Sequence, residues 1–469
     1  MGKILGGYLF PHPPIILEEI GKGQEIKALC TIEGVKTLSK YIKEKAPDTI
    51  IIITPHGPLF SDAISISKEE DLYGDFKGFG HEDIKLKYKN NLNLVNKIIK
   101  NSLKENIIIA EVDEDFAIDY NISLELDHGS MVPLYFINKE YGGFNIVHIT
   151  YGLLSPKELY KFGNAIKKAI EDLEFNAVIV ASGDLSHRLS DEGSYSYSPY
   201  GREFDEKIVD ILKRGSMEEI LTFDLSLGEK AGECGLRSLM IMAGVLGDYK
   251  LESKIISYEG PFGVGYCTAK IDIIGERVGD TLLNKITQEE KRKMELIRSD
   301  ESEYVSLARR SLEYYIKEGR IMDIPNNIDK KIIEDKKGVF VTIYKNGMLR
   351  GCIGTIEPTK KNLALEIINN AISAGINDPR FDTVEEEELD SLIYSVDILS
   401  KPEPISSISQ LDIGKYGVIV RKDSRSGLLL PNLDGVDSIE EQVSIALSKA
   451  GIRPNEEYEL QRFEVIRHK

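Results

Sequence analysis

"GGYLFPHPPI" occupies residues 6–15 and "IIIITPHGPL" residues 50–59. Each is a run of strand-forming residues that stops at a proline and passes at once to a histidine, His12 or His56. The chain has only seven histidines, so this shared context decides how the first half is read. Strand-like runs recur at Asn145–Tyr151 and Ala177–Ala181, and the latter leads into "SGDLSH", which carries Asp184 and His187. In open α/β sheets, sites gather at the carboxyl ends of strands, where loops converge over the sheet edge. Three strand ends bringing imidazoles to one rim point to a shared site.

Working outward, helix-period stretches at Glu25–Lys45, Asn91–Lys104 and Pro156–Leu173 separate strand candidates that begin with Lys3–Phe10 and Thr49–Thr54. Ser155 before Pro156 is a helix-start signal. This alternation predicts an α/β domain over residues 1–275 with a largely parallel or mixed central sheet. Lys254–Tyr258 and Tyr266–Ile271 read as an antiparallel pair joined through "YEGPFGVGY". Residues 276–302 read as a charged helical linker, and 303–469 as a second, α+β domain with Asn346-Gly347 as a hairpin turn.

Of 469 residues, 42% are apolar, enough for more than one core. Lys and Arg number 59 against 77 Asp and Glu, a formal charge of −18. That surface repels nucleic acid and anionic lipid. No apolar run approaches the ~18 residues that span a bilayer. Cys30, Cys234, Cys267 and Cys352 are scattered without a CxxC pair, which predicts reduced thiols and a cytoplasmic protein.

Two neutral imidazoles and one carboxylate on one side of a cation leave positions open for substrate and oxygen, as in non-haem Fe(II) oxygenases. The third ligand is sought in "EKAGECGLRSLMIMAGVLG", residues 229–247. Glu233 and Cys234 diverge by about 100° where this turn enters a helix, so only one of them faces a metal. Iron favours Glu233, and a softer metal such as copper favours Cys234. His81 reads as a surface or substrate-loop residue, His148 as core and His468 as tail.

"PHPP" at 11–14, "TPHG" at 54–57, "LDHGSMVPL" at 126–134 and "SGDLSH" at 182–187 together resemble the class III extradiol dioxygenase (LigB-like) family and its relative, the Memo family. The resemblance implies that His12, His56 and a late acidic residue bind Fe(II), with His187 as acid/base and His128 against substrate or oxygen. Asp184, three residues before His187, is available to orient it. Ring-cleaving members use a glutamate as third ligand, whereas Memo proteins place a cysteine before a glycine, as at Cys234-Gly235.

"LRGCIGT" at 349–355, "NDPRFDTV" at 377–384 and "SVDILSKPEPI" at 395–405 resemble the AMMECR family, a two-lobed α+β fold of unestablished activity. Gly351 and Gly354 around Cys352 fit either a tightly packed strand or a small anion-contacting loop, to which Arg350 and Arg380 could lend charge. The fusion resembles the AmmeMemoRadiSam grouping, in which these two domains accompany a radical S-adenosylmethionine protein. The expectation is an iron-dependent dioxygenase-like enzyme for an aromatic diol or related small molecule, with homo-oligomers allowed. The alternative is a metal-binding regulatory or partner-binding protein without ring cleavage.

Overall fold

The computed structural model describes residues 2–191, 195–277, 282–345, 347–433 and 436–469. Residues 278–281 of the expected linker and Asn346 of the expected turn lie outside them. The chain divides into two compact units between Glu290 and Lys291, inside a helix that runs Leu282–Asp300.

The first unit carries strands β1 (Lys3–Phe10), β2 (Thr49–Thr54), β3 (Ile64–Ser67), β4 (Asp71–Phe76), β5 (His81–Lys89), β6 (Ile109–Val112), β7 (Asn145–Thr150), β8 (Asn176–Ser182), β9 (Tyr249–Glu259) and β10 (Tyr266–Glu276). Eight of them form one mixed sheet in the order β6-β3-β7-β2-β8-β1-β10-β9, with β4 and β5 as a separate hairpin. β1, β2, β7 and β8 are mutually parallel. Their carboxyl ends therefore open on one edge.

The isoleucine run of β2 shows why the sheet is central. Ile51 and Ile53 enter a core shared with helices Leu92–Leu103, Pro156–Glu171, Pro199–Arg214 and Leu236–Leu246. Ile50 and Ile52 enter the opposite core, with helices Leu29–Lys45 and His128–Glu140. Side chains alternate faces along a strand, so a continuous apolar run is what a strand covered on both faces requires. Each fully buried isoleucine contributes roughly 1.5–3 kcal/mol of apolar burial. Ser155 caps its helix reciprocally: its Oγ accepts the Glu158 N–H, and Glu158 accepts from the Ser155 N–H.

The second unit is α+β, with β11 (Val339–Lys345), β12 (Met348–Thr355), β13 (Leu392–Leu399), β14 (Glu403–Ile405), β15 (Tyr416–Lys422), β16 (Arg425–Leu429) and β17 (Glu459–His468). The order is β12-β11-β13-β17-β15-β16, with β14 also on β17. Helices Glu303–Glu318 and Leu363–Ile376 pack one core, and helix Ile439–Ala450 packs another, giving two lobes. His468, expected in a frayed tail, instead ends the last strand and stacks on Tyr304, ring centroids 4.1 Å apart.

Candidate metal centre

His12 and His56 each lie two residues past the end of their strand, at the carboxyl edge of the sheet. Their Nε2 atoms are 3.0 Å apart, with the rings nearly perpendicular at 83°. His128 opens the helix His128–Glu140 and completes a cluster in which one ligand atom from each histidine lies within 4.8 Å of the others. His56 and His128 are stacked instead, 22° between planes, so their ring edges run side by side.

Ser182, the last residue of β8, sets the free nitrogen of His12. Its hydroxyl donates to the Gly129 carbonyl, so its lone pair takes the His12 Nδ1–H at 2.9 Å. Nε2 is then the unprotonated atom, facing the cluster. Burial holds His12 and His56 down at about 3, helped for His12 by the charge of His128 and for His56 by the charges of His12 and His128. Burial lowers His128 too, against the pull of Asp127 and Asp184. Neutral imidazoles are the ligand form. The 3.0 Å gap is also what two nitrogens, each about 2.1 Å from a shared ion, span at about a right angle. The donor set fits a transition-metal ion.

The third position is where sequence and geometry part. Glu233 is not brought to the cluster: its Oε2 accepts the Leu236 N–H at 2.6 Å, inside the first turn of the next helix. Its neighbour Cys234 approaches the cluster on the His12 side, with Sγ 3.6 Å from His12 Nε2, although the three histidines alone converge within 4.8 Å. Adjacent side chains at a helix entrance point in different directions, and here the thiol took the inward one. The approach depends on glycine, because a Cβ on Gly183 would sit 2.1 Å from the Gly235 Cα. Asp184 N–H donates to Cys234 Sγ at 3.3 Å across that contact. Burial and the charges of Asp184 and Glu233 push the thiol well above its usual range, and burial raises Glu233 as well. Coordination to a cation would reverse that for the thiol.

Asp184 does not hold His187. Its Oδ1 accepts the His12 backbone N–H at 2.9 Å, and burial raises its carboxyl to about 6. His187 packs edge-on against Tyr195 at 5.4 Å and leaves its buried Nδ1 without a partner.

Sequence reasoning passed over Asp127. Its carboxylate takes the Thr54 hydroxyl at 2.6 Å and His148 Nε2 at 3.0 Å, and it caps the His128 helix through the Ser130 N–H. Thr54 Oγ1 in turn accepts the His56 N–H at 3.3 Å. Asp127 thus ties the loop of His56 to the helix of His128. Burial would raise it, but the His148 and Thr54 bonds and nearby positive charge hold it well below the carboxylate range. The signal was there in "LDHGS", an Asp at a helix N-cap position. His148 is buried, as expected of core, but it is polar core, bonded to Ser67 on its other nitrogen. His81 pairs with Asp83 at 3.5 Å and is not in the cluster.

In the second unit the glycines around Cys352 are explained by packing. A Cβ on Gly351 would meet the Ala374 carbonyl, and one on Gly354 the Phe340 ring. Arg350 is committed to Glu388 and Arg380 to Asp378, each at 3.0 Å or less. The strand reading of "LRGCIGT" stands, and both arginines are ion-paired within this unit.

Residues 6–269 match the family of the catalytic LigB subunit of aromatic ring-opening dioxygenase, more than half of the chain, and the protein belongs to that family. Residues 305–468 match AMMECR1, so a LigB-like domain is fused to an AMMECR1 domain, the architecture of the AmmeMemoRadiSam protein A. A Clostridium acetobutylicum protein is 45% identical over 465 residues, 99% of both chains. A Thermotoga maritima protein is 50% identical over 171 residues, 36% of this chain and 98% of its own. Among solved structures, an uncharacterized protein of Escherichia coli K12 matches 57% of this chain and 99% of its own, at 13% identity and a TM-score of 0.39. No helix among the described residues is long and apolar enough to cross a membrane.

Proposed function

We propose that the first unit is a non-haem iron-dependent, extradiol-dioxygenase-like enzyme acting on an aromatic diol or a related small molecule. The observation that carries this reading is the facing pair of His12 and His56 Nε2 atoms, 3.0 Å apart beside His128. His12 and His56 would hold the ion through Nε2. Cys234 would supply the third bond in preference to Glu233, since its sulfur already approaches His12 and the glutamate caps a helix. When bound, the iron would supply the one-electron chemistry through which dioxygen reacts with a diol.

The chain's own residues do the rest. His187 takes the phenolic proton as general base, with a ring nitrogen that no other group engages. His128, lying alongside His56, contacts substrate or oxygen. Asp184 holds the His12 loop by its backbone, a positioning role rather than the expected orientation of His187. Anaerobic purification with metal analysis, followed by oxygen uptake over a panel of catechols, tests the reading. One iron per chain with catechol-dependent uptake supports it, and metal without uptake from any diol defeats it.

One observation favours a second reading. The Cys234 sulfur lies 3.6 Å from His12 Nε2, and a cysteine in the third position suits softer metals, as in Memo-like proteins. On that reading the unit is a metal-binding regulatory or partner-binding protein, working with a radical S-adenosylmethionine protein and without ring cleavage. Copper or another soft ion retained in place of iron would favour it.

A further inference from the structure

Three buried nitrogens without a hydrogen-bond partner, His187 Nδ1, Arg188 Nε and Arg237 Nε, come from the two segments that meet at the metal centre. The segments are joined by backbone: the His187 N–H donates to the Ala231 carbonyl, and the Cys234 N–H to that of Asp184. Arg188 lies along the turn that carries Cys234, its Nε 3.3 Å from where a Cβ on Gly232 would stand. Arg237, three residues beyond Cys234, acts on Glu233 and Tyr151 through charge alone. The Tyr151 hydroxyl in turn donates to the Cys234 carbonyl at 3.2 Å.

A half-buried guanidinium is costly unless a carboxylate or other acceptor meets it. Elsewhere the chain observes this: Arg309, Arg350 and Arg467 each grip a carboxylate at 2.9 Å or less. Acids outnumber bases 77 to 59, so a shortage of partners does not explain Arg188 and Arg237. Both are half-buried, and each lies within four residues in sequence of a residue at the centre, Asp184 for Arg188 and Cys234 for Arg237. We propose that Arg188 and Arg237 form an anion subsite at the rim of the metal centre. It takes the carboxylate or phosphate of a small-molecule ligand whose reacting part lies over the histidines. Guanidinium forks bind such groups through paired, charge-assisted hydrogen bonds.

The inference rests on the reading above only for the location of the reaction centre, so its test uses neither metal nor oxygen. Benzoate, phenyl phosphate and neutral benzyl alcohol are titrated calorimetrically into the metal-free full chain at constant ionic strength. At least one anion should bind about tenfold or more tighter than the alcohol, and which one does so identifies the carboxylate or the phosphate. Arg188→Gln and Arg237→Gln should each remove most of that selectivity and leave benzyl alcohol unchanged. Arg320→Gln, the same charge change in the second unit, should have no effect. If a glutamine variant fails to fold, Arg188→Lys or Arg237→Lys is read in its place, with a partial loss expected because the charge remains and the fork does not. Equal binding of anions and alcohol by the unaltered protein overturns the proposal. So does an equal loss in Arg320→Gln, or a loss that strikes the alcohol as well. Failure of oxygen uptake with anion selectivity intact would sink the dioxygenase reading and leave this subsite standing.

Discussion

Ser182 accepts the Nδ1–H of His12 at 2.9 Å and spends its own proton on the Gly129 carbonyl, which leaves His12 one free nitrogen, Nε2, facing His56. A ligating histidine whose far nitrogen is held this way keeps one tautomer and one ring orientation. Ser182→Ala should weaken metal binding by about 10- to 100-fold. Titration of the metal-free protein with Fe(II) under argon checks it. Unchanged affinity would mean that His12 is not a ligand or that Ser182 does not fix it.

Cys234 and Glu233 are adjacent, yet their substitutions should separate. Cys234→Ala should lose metal binding while the fold survives, because the thiol serves the cluster more than the core. Glu233→Ala should keep the metal and lose about 1 kcal/mol of stability with its helix cap. Metal content and thermal midpoint of the two variants, measured together, decide the point. The reverse pattern would restore Glu233 as the ligand.

Most of the fold was legible because its signals are local. β1 and β2 run between the residues expected, since an apolar stretch that stops at Pro, unbroken isoleucine in β2, has few other readings. The short strands Ile64–Ser67 and Ile109–Val112 escaped notice because four residues carry too little periodicity to separate a strand from a loop. The same limit governed the site. His12 and His56 announce themselves by identical strand-end contexts. The choice between Glu233 and Cys234 depends on which way a turn rotates, and that is set by the Gly183–Gly235 contact between segments 52 residues apart. Asp127 and His148 pair across 21 residues of sequence, and no spacing rule joins them.

Asp205 offers a pH test close to His187. It is fully buried, accepts the Ser186 N–H at 2.8 Å and the Tyr258 hydroxyl at 2.7 Å, and burial lifts its carboxyl from 3.8 to about 7. Between those values the folded chain keeps a proton that the unfolded chain releases. The contribution to stability is therefore full at the acid end of the window and is lost as pH rises to about 7. Asp205→Asn has no proton to lose. Its stability relative to the unaltered chain should rise with pH from about 4 to about 7, by up to roughly 1.4 kcal/mol per pH unit. Denaturation midpoints of both proteins at the two ends of the window show it, and parallel pH profiles would refute it.

The units should separate, but not at the boundary the charge pattern marks. Leu282 and Ile286, inside the expected linker, are buried at 0% and 1% exposure in the core of the first unit. A fragment ending at residue 275 discards both, at a cost of about 2–5 kcal/mol for each lost apolar side chain. A fragment ending at 290 keeps them, and should fold and bind metal as the full chain does. The remainder, from residue 291, retains the Arg298 bond to the Leu389 carbonyl at 3.2 Å and its ion pair with Glu313 at 3.7 Å. It should fold without metal, since every histidine of the cluster precedes residue 190. Circular dichroism melts and metal stoichiometry of the three fragments check this. If the fragment ending at 290 is folded yet binds no metal, the second unit completes the centre, and Arg350, Cys352 and Arg380 become the first positions to substitute.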